Sequence, residues 1–153
     1  MIYIREAEAK DFPAVYGLMK NELGYHDLNE TDALERLVYF KQSKDWETFV
    51  AVINGDIVGF IGVMKGIAYT LEGFYSEIVA LAVSVKTRRA GVGSALVRKA
   101  EEWASQNGAH EMGLHSNMKR LEAHHFYEGI GYIKKSYWFG KKLESAKKYP
   151  LLS

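Results

Sequence analysis

Apolar positions along this chain recur at two spacings, one helical and one strand-like, and the switches between them divide it into elements. Ile2 to Ala7 alternates as a short strand. Asp11 followed by Pro13 then predicts a helix start, with Val15, Leu18, Met19 and Leu23 at helical spacing, until Gly24-Tyr25-His26-Asp27 ends the run. A second helix begins near Asn29 or Thr31, because Leu34, Leu37 and Val38 then share a face. From Glu47 to Met64 the pattern changes to β-branched and aromatic runs, Thr48 to Ile53 and Ile57 to Val63, on either side of Asn54-Gly55-Asp56. Asn-Gly between apolar runs is a strong hairpin signal. After a less regular stretch holding Tyr69, Glu72 and Gly73, the run Glu77 to Val83 reads as a strand buried on both faces, at the centre of the sheet.

Ala90 to Gln106 carries the clearest amphipathic pattern, with Val92, Leu96, Ala100 and Trp103 on one stripe widened by Ala95, Val97 and Ala104. Asn107-Gly108 terminates it. Met112 to His115 follows as a short strand, Arg120 to Glu128 as a short helix, and Tyr132 to Phe139 as a last, aromatic-rich strand. The expected order is β-α-α-β-β-β-α-β-α-β. Helices packed on a mixed sheet, an α/β (α+β mixed-sheet) architecture, satisfy that order. No repeat, low-complexity tract or linker marks a boundary, so residues 1–153 are expected to form one domain.

Composition narrows the class. A chain of 153 residues, 48% hydrophobic and 25% charged, can bury a core of its own. No stretch approaches the ~20 apolar residues of a membrane span, and Met1 to Glu6 lacks the charged and apolar segments of a signal peptide. With zero Cys nothing calls for an oxidising compartment, and the cytoplasm is the expected location. A net charge of +1 argues against nucleic acid as a partner. The lysines at 141, 142, 147 and 148 read as a solvated surface group. Lys86, Arg88 and Arg89 differ, because glycines follow them.

In Leu81-Ala82-Val83-Ser84-Val85-Lys86-Thr87-Arg88-Arg89-Ala90-Gly91-Val92-Gly93-Ser94 a strand turns through a basic, glycine-containing loop into the strongest helix. The free N–H groups of a helix's first turn and its positive dipole end favour an anion. Gly91 and Gly93 let an anionic group approach the backbone, and Arg88 and Arg89 supply charge-assisted donors, so a phosphate or pyrophosphate is expected there. Other nucleotide motifs do not fit. A dinucleotide fingerprint wants Gly or Ala where Leu96 stands, and a P-loop wants a Lys that is missing between Gly93 and Ser94.

Arg88-Arg89-Ala90-Gly91-Val92-Gly93 resembles the Arg/Gln-x-x-Gly-x-Gly/Ala signature of the GCN5-related N-acetyltransferase superfamily, preceded by the same Leu-Ala-Val type of strand. Ala123-His124-His125-Phe126-Tyr127-Glu128-Gly129-Ile130-Gly131-Tyr132 resembles its second signature, with Ala-x-x-Phe-Tyr on a helix before the last strand. Order and spacing match over nearly the whole chain. In one departure, Arg120 stands where the family often has Asn, and Asn117 lies a turn earlier.

The resemblance implies an acyl-coenzyme A N-acyltransferase fold with a splayed central sheet and acetyl-coenzyme A as co-substrate. Main-chain groups from Arg89 to Ser94 would hold its pyrophosphate. The pantetheine would run along Leu81-Ala82-Val83 like an added strand, with Asn117 or Arg120 beside it. Tyr127 matches the family's usual general acid, since a phenol of pKa ~10 keeps its proton at neutral pH. Glu77, in Ser76-Glu77-Ile78-Val79, resembles the catalytic Glu of the histone-acetylating branch, with Glu72 in reserve as base.

For the acceptor, Tyr25, His26 and Asp27, the loop holding Tyr69, Glu72, Phe74 and Tyr75, and Tyr137 and Trp138 combine aromatic faces with carboxylates. That pairing suits a cationic amine, on a small molecule or a peptide. His26 and His115 either border this pocket or serve packing. No metal is expected, because consecutive His124 and His125 point ~100° apart on a helix and no Cys completes a set. A non-catalytic acyl-coenzyme A sensor is the rival reading, and the chain is expected to act as a monomer or homodimer, away from membranes.

Overall fold

The structure, a computed structural model describing residues 1–144 and 151, carries the expected elements with one exception near its C-terminal side. In chain order it runs β1 (Tyr3–Glu6), α1 (Phe12–Glu22), α2 (Glu30–Gln42), β2 (Trp46–Ile53), β3 (Asp56–Gly66), β4 (Phe74–Val83), α3 (Val92–Gln106), β5 (Ala109–Leu114) and α4 (Leu121–Gly129). Short 3-10 turns occupy Ala9–Asp11 and Val85–Thr87. The strands form one sheet in the order β1-β2-β3-β4-β5. Pairing is antiparallel from β1 to β4 and parallel between β4 and β5, which the α3 crossover makes possible.

Local chemistry explains the boundaries. Asn29 caps α2, its side chain accepting from the Asp32 amide at 3.0 Å. Asn54 and Gly55 both take positive φ, 51° and 85°, as a tight β2–β3 hairpin turn requires. Arg5 donates to both Asp11 carboxylate oxygens at 2.6 and 3.0 Å, and Asp11 also accepts from the Glu8 amide at 2.8 Å. Those bonds fix the turn from β1 into α1.

The sheet is covered on both faces. On one, α3 buries Val92, Leu96, Val97 and Ala100 against Phe49, Val58, Ile61, Val63 and Ile78, with Phe126 and Ile130 of the α4 region packed alongside. On the other, Phe12, Val15 and Leu18 of α1 and Leu37 of α2 pack on Val50, Phe60 and Ala82. Interleaved apolar side chains from sheet and helices on both faces make the middle strands the most buried.

Two expectations need correction. The run Glu77 to Val83 is not uniformly buried: Gly62 pairs with Ala80 and Val63 with Ile78, so Val79 is the extra residue of a bulge and is 43% exposed. The last strand, Tyr132 to Phe139, does not form. Its side chains attach one by one instead, Tyr132 to Glu101 at 2.7 Å, Lys135 to Glu111, and Trp138 against His115 at 5.9 Å between ring centroids. Ile133, Tyr137, Trp138 and Phe139 stay exposed, because alternation makes a strand only where a ladder partner is in register. Smaller shifts put the start of α3 at Val92 and the end of β5 at Leu114. In the basic C-terminal group, Lys141 and Lys142 are exposed, while 147 and 148 lie outside the described residues.

Candidate active site

β5 pairs with β4 only as far as Ile78 opposite Leu114, and β4 continues to Val83 with no strand beside it on that edge among the described residues. The opening leads into a cavity of about 830 Å³. Leu81, Ala82 and Val83 form one wall, the loop and helix start from Thr87 to Ser94 a second, Lys119 to Ala123 with Phe126 and Tyr127 a third, and Glu22 with Leu23 close the fourth. Four cations (Arg88, Arg89, Lys119 and Arg120) and two carboxylates (Glu22 and Glu122) share these walls, so the lining is net positive.

The helix start leaves backbone donors open. Gly91 occupies the N-cap of α3 at φ 83°, no side chain caps the helix, and its first turn holds no acidic residue. The Ala95 amide bonds to the Gly91 carbonyl at 3.0 Å, which leaves the amides just before it pointing out of the helix end. Arg89 takes φ 69°, uncommon for a residue with a Cβ, so the loop is held in a strained form. The two glycines divide their labour. Gly91 supplies the left-handed cap with open space around it, whereas a Cβ on Gly93 would lie 3.2 Å from the Phe126 ring. Gly93 is thus needed for helix contact, a role that spacing alone did not reveal.

Tyr127 faces the same cavity from α4. Its ring lies edge-on to Phe126 at 5.2 Å and to Tyr132 at 5.9 Å. Gly131, at φ 101°, ends the helix, and the Tyr132 amide donates to the Tyr127 carbonyl at 2.9 Å. Burial pushes the Tyr127 phenol above the ordinary tyrosine range, and Arg120 opposes the shift only in part. The phenol therefore keeps its proton at neutral pH. Burial, then the hydrogen bond to Glu101, also push Tyr132 up, and that bond gives Tyr132 a packing role.

Glu77 stands apart from this lining, on β4 before Leu81, with its carboxylate 3.9 Å from His115 Nδ1. Asn117 serves the turn into α4, accepting from the Lys119 amide at 2.9 Å, and Arg120 rather than Asn117 lines the cavity. Ala90 sits in the loop without reaching the wall. Tyr25, His26 and Asp27, between α1 and α2, and Glu72, between β3 and β4, are exposed and outside the same lining. Residues that the sequence did not single out are Glu22, Leu23, Lys119, Leu121 and Glu122. Lys119-Arg120 before a helix is a readable basic signal, whereas nothing in the local pattern marks Glu22. Among the described residues no group of His, Cys, Asp and Glu is placed to hold a metal ion, and no helix is long and apolar enough to cross a membrane.

Comparison with known proteins points to a family and a shared fold. The sequence model of the Acetyltransferase (GNAT) family matches residues 3–132. An aminoalkylphosphonate N-acetyltransferase of Salmonella typhimurium is 32% identical over 92% of this chain and 90% of its own. A crystal structure described as a transcriptional regulator from Bacillus halodurans superposes with a TM-score of 0.83 at 26% identity, over 94% of this chain and 99% of the other. An aminoglycoside N-acetyltransferase in complex with CoA superposes with a TM-score of 0.82 at 17% identity, over 93% and 95%, and so shares the fold.

Proposed function

The chain belongs to the acetyltransferase (GNAT) family, and from that premise we propose that it transfers acetyl from acetyl-coenzyme A to a primary amine, as one cytoplasmic domain. The observation that carries the reading is a single cavity with the uncapped, cationic start of α3 at one wall and the Tyr127 phenol at another. The residues present fit the coenzyme. Amides from Arg89 to Ser94 with Arg88 would hold its pyrophosphate, and the free edge of Leu81 to Val83 would take its amide-bearing arm as an added strand. When bound, the coenzyme supplies the activated acyl group.

The chain's own side chains do the proton work. Glu77 takes a proton from the ammonium of the acceptor, since only the free amine is nucleophilic, and Glu72 or a water is the reserve for that task. As the amine nitrogen bonds to the acyl carbon and the carbon–sulfur bond breaks, Tyr127 would give its Oη proton to the departing sulfur, and the phenolate would be reprotonated by the second proton that the nitrogen sheds, directly or through water. Tyr25, His26, Asp27 and Glu72 border the acceptor, a small molecule or a peptide. Aminoalkylphosphonates are the first acceptors to try, because the Salmonella relative carries that name.

The test is release of free thiol from acetyl-coenzyme A against a panel of amines that includes an aminoalkylphosphonate, a polyamine, an aminoglycoside and a lysine peptide. Amine-dependent release supports the reading. Tight coenzyme binding without release across the panel favours the second reading, a non-catalytic acyl-coenzyme A sensor. That alternative draws on the Bacillus halodurans neighbour described as a transcriptional regulator.

A further inference from the structure

Glu22 is an unexpected carboxylate to find on the wall of a cavity shaped for phosphates. It is the last residue of α1, its side chain is only 15% exposed, and it lines the cavity together with Arg88, Gly91 and Gly93. Glu22 Oε2 lies 3.4 Å from Arg88 Nη2, which spans from the glycine loop to the end of α1. Arg88 is the more exposed of the pair, at 54%, and so is free to turn.

Resting on the coenzyme-binding reading above, we infer that Glu22 is a built-in competitor of the coenzyme's phosphates for Arg88. Arg88 is engaged by a carboxylate, and a phosphate oxygen arriving at the same guanidinium displaces a like-charged rival. Guanidinium pairs with either anion through the same donors, so the two cannot both have its full attention. Once displaced, Glu22 remains near the bound phosphates and repels them. Its effect is to hold coenzyme affinity down. A lower affinity speeds departure of the product coenzyme, a step that limits turnover in many enzymes.

The competitor model differs in sign from the ordinary one. A carboxylate that merely orients Arg88 for phosphate would make Glu22→Gln bind coenzyme A more weakly. Competition makes it bind more tightly, by about two- to fivefold at low ionic strength, the range expected for loss of one partly exposed charge pair. The gain shrinks toward ~1 M salt, where the screening length is about 3 Å. Pantetheine, which has the arm without the nucleotide phosphates, binds equally to both proteins. In an Arg88→Gln background, Glu22→Gln gives a smaller gain.

Calorimetry with coenzyme A and pantetheine decides the matter, with thermal unfolding to establish that each variant is folded. Glu22→Met carries the same expectation and serves if Glu22→Gln fails to fold. In steady state the folded variant is also more strongly inhibited by product coenzyme A. If the parent binds coenzyme A and Glu22→Gln binds it equally or more weakly, the competitor role is overturned while the coenzyme site stands. A parent that binds no coenzyme A overturns the site, and this inference with it.

Discussion

Gly93 and Phe126 stand so close that a Cβ on the glycine would lie 3.2 Å from the ring's Cζ, which joins the helix start at the glycine-loop end of the cavity to the helix that carries Tyr127. The first turn of α3 and the middle of α4 are therefore one packed unit. A substitution at either point is transmitted to the other. Gly91, only two positions earlier, has nothing within 4 Å of its would-be Cβ, and its constraint is the left-handed backbone alone.

The two glycines should consequently respond differently to substitution. Gly93→Val forces Phe126 aside and is expected to cost about 1–3 kcal/mol in urea unfolding. Gly91→Asn, in open space and with a residue that tolerates positive φ, is expected to cost well under ~1 kcal/mol. An equal loss at both sites would mean that the contact with Phe126 is not what Gly93 serves.

At the opposite end of the fold, acid should weaken the β1–α1 corner. The hydrogen bond from Arg5, opposed by burial and assisted by the Glu8 amide, holds the Asp11 carboxyl below its ordinary range. A carboxyl pKa depressed on folding contributes stability that is complete above the unfolded value of ~3.9 and is lost as pH falls through the folded value. Asp11→Ala is therefore expected to cost about 2 kcal/mol near neutral pH, with the gap to the parent closing below about pH 4. A gap that stays constant in urea unfolding from neutral pH down to about 2.5 would show that packing, not ionisation, sets the effect.

How much of this was readable beforehand follows from where each signal lives. Asn54-Gly55 and the apolar stripe from Val92 to Ala104 act locally, so hairpin and helix were legible from neighbouring residues. The strand-loop-helix at Leu81 to Ser94 and the Phe126-Tyr127 pair were legible as motifs, and both line the cavity. Tyr132 to Phe139 misled because a strand also needs an edge in register, a property of the partner and not of the run itself. The bulge at Val79 escaped notice for the same reason, being defined by what lies opposite on β3. Glu22 was illegible for a third reason: its partner Arg88 is distant in sequence, and only tertiary packing of α1 against β4 brings them together.

Tyr127→Phe isolates the proposed acid. It keeps the ring contacts with Phe126 and Tyr132 and removes only the hydroxyl, so coenzyme affinity should be unchanged while turnover falls by ~10²–10⁴-fold. Because burial raises this phenol, deprotonation of Tyr127 should not produce an alkaline loss of activity below the ordinary tyrosine value of ~10. Stopped-flow or steady-state rates with the acceptor that emerges from the amine panel provide the check. Unchanged turnover would pass the role to water or to another donor.

Glu77 sits at the last stretch of the β4–β5 pairing, opposite Gly113 and 3.9 Å from His115, at the point beyond which β4 loses its neighbour. A carboxylate there has two ways to help an amine substrate, and they leave different kinetic traces. As a base it removes the proton that blocks attack. Glu77→Gln then lowers the saturated rate at neutral pH, and part of the loss returns as pH rises toward the amine's own pKa near ~10, where free amine forms without assistance. As a mere attractant for the ammonium it contributes equally to ground and transition states. Glu77→Gln then raises KM and leaves kcat nearly intact. The two outcomes are separated by measuring kcat and KM for parent and variant between about pH 6 and 9. We expect the first pattern, since Gln preserves shape and hydrogen bonding while lacking the basicity the step requires. A kcat within about twofold of the parent across that range would remove Glu77 as base and shift the task to Glu72 or to an ordered water.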